Sequence, residues 1–130
     1  MLALSIVSPH GVNIASGKKT LEVRSWRPSF LPIRDLLIVE NTTYLSLEHP
    51  IDPAGRAIAL VDIEEIHEWQ PSDVLAACSS GWEPGYWAWH LSNVRPVVNG
   101  PQVPAKRKLY EIEPTILEFG MVGKVGENAR

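Results

Sequence analysis

The sequence predicts a mainly β domain with short flanking helices, an α+β fold in which the strands close on one core as a small barrel. Three observations carry this. Eleven prolines and nine glycines cut the 130 residues into short segments, as turn-linked strands require. Several of these segments are apolar runs or alternate apolar and polar residues at the strand period of two. Apolar residues make up 45% of the chain and charged residues 21%, a globular composition with enough material for one buried core.

The elements follow in order. Leu2 to Val7 reads as a first strand. Ser8 suits a helix N-cap, Pro9 the first helical position and Gly17 the stop, which predicts a short helix over Pro9–Ser16. Thr20 to Trp26 alternates and reads as a strand with Leu21 and Val23 toward a core. Leu36 to Glu40 is apolar until its end, as a strand buried on both faces would be. Asn41 to Gly55 is polar, and Pro50 and Pro53 mark it as a loop. Arg56 to Trp69 is the longest β-like run, and a short helix is expected from Ser72 to about Ser80. Tyr86 to Val98 reads as an aromatic strand and Lys106 to Glu113 as the last one. Residues 1–114 are expected to form the domain. Residues 115–130 form a tail, with Ile116, Leu117 and Phe119 available to dock.

The bulk properties narrow the function. The net charge is −3, so no global basic field announces a polyanion. Locally the balance differs: Lys18, Lys19, Arg24, Arg27 and Arg34 fall close together with Glu22 as the one carboxylate between positions 18 and 34. Asp62, Glu64, Glu65, Glu68 and Asp73 cluster later. The single cysteine, Cys78, excludes an internal disulfide and suits a reducing compartment. The apolar N-terminus is short and lacks a basic lead, and no run approaches the roughly 18 apolar residues of a membrane span. The expectation is a cytoplasmic protein with no membrane partner. His10, His49, His67 and His90 are spread too far apart in sequence for a close metal-ligand pair, so neither a metal nor any other cofactor is expected. Phosphate-cradling loops and the serine-hydrolase elbow are absent as motifs.

The chemistry-bearing segment is Ser16 to Trp26. A small-residue turn delivers Lys18 and Lys19, and the strand period then sets Thr20, Glu22 and Arg24 on one face. An ammonium, a carboxylate and a guanidinium together suit an anionic or polar ligand and supply acid or base. The plainer reading is a surface ion-pair ladder, which contributes little. The aromatic residues form a second group. Five tryptophans offer rings on which unpaired bases stack. Trp87 and Trp89 suit the core, whereas Trp26, Trp82 and Tyr86 lie beside turns and suit a cleft rim. Lys106-Arg107-Lys108 adds phosphate contacts or protects an edge strand.

The run Gly17-x-Lys19-x-x-Glu22-x-Arg24 resembles the G-x-K-x-x-E-x-R signature of ASCH domains, small β-barrels similar to the PUA domains that bind RNA. Arg56 to Ile63 and Tyr86 to Pro96 resemble that family's later strands, and the likeness spans roughly residues 2–113. The resemblance implies a PUA-like barrel with a cleft in which Lys19 leads. It implies catalytic roles for Lys19, Glu22 and Arg24, with Glu83 as a further carboxylate. It also implies contacts to RNA or a modified nucleoside from Lys18, Arg27, Arg34, Trp26 and Tyr86. One branch of the family, the N(4)-acetylcytidine amidohydrolases, carries threonine at the position of Glu22. A carboxylate there cannot form the same acyl intermediate, so metal-independent cleavage of single-stranded RNA leads. The amidohydrolase and a non-catalytic RNA-binding or ligand-sensing module remain as alternatives.

Overall fold

The computed structural model describes residues 1–117. Strand β1 (Leu2–Val7) leads through helix α1 (His10–Ala15) to β2 (Leu21–Arg24). Then come β3 (Ile33–Asn41), β4 (Ile51–Asp52), β5 (Arg56–Ile63), β6 (Ile66–Glu68), a 3-10 turn at Pro71–Asp73, β7 (Trp87–His90) and β8 (Ser92–Pro96). β9 (Ala105–Lys106), β10 (Leu109–Glu111) and the single helical turn α2 (Thr115–Leu117) complete the described chain.

The strands form a five-stranded sheet in the order β10-β1-β3-β5-β8, a three-stranded sheet β2-β7-β6 and the pair β4-β9. β1 and β3 run parallel and the other pairs are antiparallel. The mainly β architecture is as expected. The closed barrel is not: among the described residues the pairing gives three sheets and no ring. Two interruptions explain this. The run Arg56–Trp69 stops pairing at Glu64-Glu65, and Tyr86–Val98 breaks at Leu91, so each run divides between the large and the small sheet.

The large sheet is buried on both faces, and the strand period assigns the residues except where a register shift in the β3–β5 pairing puts Ala57 on the face opposite Ala59. Leu4, Ile6, Leu36, Ile38, Ala59, Val61 and Ile63 face one core with Ile14 of α1 and Trp89 of β7. Ala3, Leu37, Val39, Ala57 and Leu60 face a second core closed by Val103, Ala105 and Leu117. Each fully buried aliphatic side chain contributes about 1.5–3 kcal/mol. Leu21, Trp69, Ala77 and Ala88 form a third cluster beneath the small sheet.

Helix α1 begins one residue later than its sequence signals suggest. Pro9 takes the N-cap position and no side-chain oxygen accepts a capping bond there; the Ser8 backbone N–H donates to Asn41 O at 2.8 Å. The helix lies against the end of β3 so closely that a Cβ on Gly11 would stand 2.8 Å from Glu40 Oε2. Gly17 turns the chain at φ +83°, a left-handed conformation that glycine adopts without a side-chain clash. The helix expected after Ser72 is a single 3-10 turn followed by irregular turns. The tail residues 118–130, including Phe119, lie outside the described residues.

Candidate functional site

Strand β2 places the charged residues. Its pairing with β7 sets Glu22 opposite Trp89 and Arg24 opposite Trp87. The face that sequence alternation assigns to the surface therefore turns inward, toward β1. Glu22 is 6% exposed and Lys19 only 4%. A charge this deep in the protein has to be paired, and it is. Lys19 Nζ lies 3.3 Å from Glu22 Oε1, while Arg24 Nε–H donates to Glu22 Oε2 at 2.7 Å. Lys19 also donates to the backbone oxygen of Ala77, and Arg24 donates from a terminal nitrogen to Ser5 O at 2.8 Å. The trio thereby links β2 to β1 and to the turns after Pro71.

An ammonium has three N–H donors and a guanidinium five. These bonds leave one on Lys19 and three on Arg24 for other partners. The trio borders a cleft of about 900 Å³, whose walls also carry Ser5, His10, Asn41 and Cys78. Trp26, Tyr44 and the basic run Lys106–Lys108 stand at its rim. The Trp26 ring meets Trp89 edge-on with centroids 5.0 Å apart, and Lys108 lies 5.8 Å from the Trp26 centroid. Ser5 Oγ pairs with Tyr110 OH at 3.0 Å and accepts from Lys106 N–H at 3.0 Å, which anchors the basic run beside β1.

Two wall residues carry unsatisfied polar atoms. His10 Nδ1 and Asn41 Oδ1 are buried without a hydrogen-bond partner among the described residues. An orphaned polar atom costs about 1–3 kcal/mol. Burial lowers the His10 pKa below 6.5, and the nearby Lys19 charge pushes the same way; Glu22 and Glu40 oppose both. The ring is therefore neutral at pH 7.

The other sequence candidates are dispersed. Lys18 is exposed and does not border this cleft. Arg27 lies over the Trp87 ring, 4.6 Å from its centroid, outside the cleft. Arg34 reaches Glu64 at 3.0 Å and Asp62 at 3.5 Å, in a separate ionic network. Glu83 and Tyr86 border a second, smaller cavity of about 360 Å³ with Trp69 and Trp82. That cavity shares Val23, Ser79 and Ser80 with the main cleft. Of the aromatic rim candidates, only Trp26 faces the main cleft. Sequence reasoning missed Ser5 and Asn41. Each is a small polar residue at a strand position, a pattern shared by many residues without a ligand.

The histidines do converge in part. β6–β7 pairing brings His67 Nδ1 within 2.6 Å of His90 Nε2, and His67 Nε2 lies 2.7 Å from Asp73. Burial works against the Asp73 charge, but hydrogen bonds from His67 and the Gln70 amide outweigh it and hold the carboxyl below its ordinary pKa. Among the described residues, no group of three or more His, Cys, Asp or Glu is arranged to hold a metal. Nor is any described helix long and apolar enough to cross a membrane.

Comparisons with known proteins agree with this architecture. Among solved structures, the chain is similar to an ASCH protein from Zymomonas mobilis at 18% identity and a TM-score of 0.56, covering 97% of this chain and 93% of that one. Two point mutants of the Zymomonas mobilis protein match likewise. One has 16% identity, a TM-score of 0.56 and coverage of 97% and 96%. The other has 17% identity, a TM-score of 0.57 and coverage of 98% and 94%. At such identity the likeness shows the fold alone. No curated protein matches the chain. The ASCH domain family model matches residues 4–101, three quarters of the sequence, a span that holds the cleft residues apart from Lys106, Arg107 and Lys108. The chain belongs to the ASCH domain family.

Proposed function

We propose that the protein binds single-stranded RNA in the main cleft and hydrolyses it without a metal. The observation that supports this best is the buried trio Lys19, Glu22 and Arg24 beside an open cleft rimmed by Lys106, Arg107, Lys108 and Trp26. The rim cations suit phosphates along a strand, and the partly exposed Trp26 ring suits a stacked base. Deeper in, the spare donors of Lys19 and Arg24 are fixed in place by Glu22. Donors held in advance stabilise charge developing on a phosphoryl oxygen. In this reading Glu22 orients the two cations and does not act as the base, because both its oxygens are already engaged. This reading assigns no step to Glu83, which borders the smaller cavity.

The completeness of the trio favours a second reading: a non-catalytic RNA-binding module, in which the ion pairs serve only to shape the cleft. The two readings differ in turnover. Purified protein is incubated with RNA oligomers and EDTA, and products are followed by mass spectrometry. The hydrolase reading expects fragments with the unmodified protein and none with Lys19→Ala. Binding without fragments leaves the module. Release of acetate from N(4)-acetylcytidine would return the protein to the amidohydrolase branch despite Glu22.

A further inference from the structure

The smaller cavity differs from the main cleft in the chemistry of its walls. Three aromatic residues, Trp69, Trp82 and Tyr86, border about 360 Å³ of space, and Glu83 is the one charged residue among the described residues that line it. The walls are tied together through the Trp69 backbone. Its N–H donates to Tyr86 O at 2.9 Å, and its carbonyl accepts from Trp82 Nε1–H at 3.1 Å. The indole N–H is thereby spent within the wall, so Trp82, 39% exposed, offers a ligand its ring and no donor. The neighbouring turn is tied as well: Ser79 Oγ donates to Gly81 O at 2.6 Å and accepts from Gly81 N–H at 3.3 Å. Trp82 and Glu83 are both exposed, so a ligand reaches them from solvent. Val23, Ser79 and Ser80 border both cavities, which makes the smaller one a side chamber of the cleft.

We propose that this chamber is the base pocket for RNA held in the cleft, and that Glu83 makes it select guanine. The inference rests on the RNA reading above and gives it a base preference. The two connected spaces match the two halves of a nucleotide. Lys19, Arg24 and the Lys106–Lys108 run give the cleft its cations, which suit phosphate. In the chamber a carboxylate repels phosphate, whereas flat aromatic walls suit a stacked base. Aromatics beside a carboxylate also suit an organic cation, but the basic rim of the adjoining cleft repels one. An ionised carboxylate only accepts hydrogen bonds, through two oxygens side by side. Guanine alone sets two donors next to each other on its Watson–Crick edge, N1–H and N2–H₂. Adenine and cytosine each place a bare ring nitrogen beside their amine, and uracil has a single N–H between two carbonyls. Glu83 therefore takes two parallel bonds from guanine and at most one from any other base, whose own acceptor then faces its second oxygen.

The test uses labelled nine-residue oligouridines whose central residue is guanosine, adenosine or inosine. Inosine keeps the N1–H of guanosine and lacks its 2-amine. Affinity for the full chain is read by fluorescence anisotropy. Guanosine is expected to bind about tenfold tighter than adenosine, with inosine near the adenosine level. Glu83→Gln puts a donor in place of one acceptor oxygen and is expected to abolish the guanosine advantage. Trp82→Ala is expected to weaken the guanosine and adenosine oligomers alike, since stacking does not depend on the base edge. Circular dichroism melts report that both variants are folded; the inosine oligomer tests the contact without altering the protein. Equal affinity for guanosine and adenosine, inosine as tight as guanosine, or a guanosine preference that survives Glu83→Gln overturns the pocket and leaves RNA binding standing. Binding to none of the three oligomers sinks the RNA reading and the pocket with it.

Discussion

Two buried carboxylates sit between cations in this molecule, and they do different things. Glu22 is flanked by Lys19 and Arg24 beside the cleft. Asp62, at the end of β5, lies 2.8 Å from Arg95 and 3.5 Å from Arg34. Asp62 also accepts from the Asp35 amide and from Asn93 Nδ2, each at 3.0 Å. These two hydrogen bonds, helped by Arg95 and Arg34, hold its carboxyl below the usual carboxylate pKa against the opposing effect of burial. Around Asp62 every cation is also committed elsewhere. Arg95 reaches Asp35 at 2.5 Å and Asn93 O at 2.9 Å, and Arg34 reaches Glu64. That network joins β3, β5 and β8 and lines neither cavity. The Glu22 trio instead has spare donors beside open space and two buried, unpartnered polar atoms on residues of the same cleft, among the described residues. Charge complement alone does not distinguish a structural network from a site; unspent hydrogen-bonding capacity facing a cavity does.

The comparison can be broken most decisively by removing each carboxylate. Glu22→Ala leaves two cations unpaired, one of them deeply buried, and is expected to cost about 3–5 kcal/mol, read as a large fall in denaturant midpoint. Asp62→Ala should also destabilise, but RNA affinity measured at a temperature where the variant is folded should be unchanged. Loss of RNA binding on removing Asp62 would show that the two regions are not independent.

A second test exchanges rim and network cations. Replacing Lys106, Arg107 and Lys108 together by alanine is expected to weaken RNA binding about tenfold or more and to flatten its salt dependence, with slopes near 0.7 per lost phosphate contact. Arg34→Ala, although it removes one of the cations expected from sequence to touch RNA, should leave both affinity and salt slope as they were. Anisotropy titrations across a salt series check both.

The smallest effect concerns pH, and the two regions separate there as well. The folded pKa of His10 is below 6.5, so its contribution to stability is complete above that value and is lost as pH falls from 6.5 through the folded pKa. Asp62 is depressed from 3.8, so its contribution is complete above 3.8 and is lost only as pH falls further. His10→Gln should therefore flatten the loss of stability just below pH 6.5 and leave the lower window intact. Asp62→Asn should do the reverse. Melting temperatures across pH measure both, and one common window for the two variants would refute the assignment.

Local chemistry made much of the strand inventory legible in advance. Leu2–Val7 is a strand over its expected range, and the apolar run at Leu36–Glu40 lies inside β3 with both faces buried. Trp89 is fully buried, as its place on the aromatic strand suggested. The spacing of Glu22 and Arg24 set both on one side of β2, because a strand places alternate residues on one face, while Lys19 joins them from the turn that precedes the strand. Boundaries were less legible. Tyr86–Val98 and Arg56–Trp69 each read as one β run, and nothing local marks the points where they change sheets.

What the sequence determined by itself is the β character, the ASCH signature and the placing of Glu22 with Arg24 on one face, since all three follow from local spacing, whereas the bond to Ala77 O helps hold Lys19 beside them. The tertiary structure decided which face of β2 is inside, because Trp89 and β1 cover one face and Trp69 with Ala77 the other. It also sent Arg34 to the Asp62 network and Glu83 with Tyr86 to the smaller cavity. Only the pairing of β1 with β3 brought Asn41 to the cleft. A pocket is made by elements distant in the chain, and each side chain takes the partner that best offsets its desolvation; neither is written in local spacing.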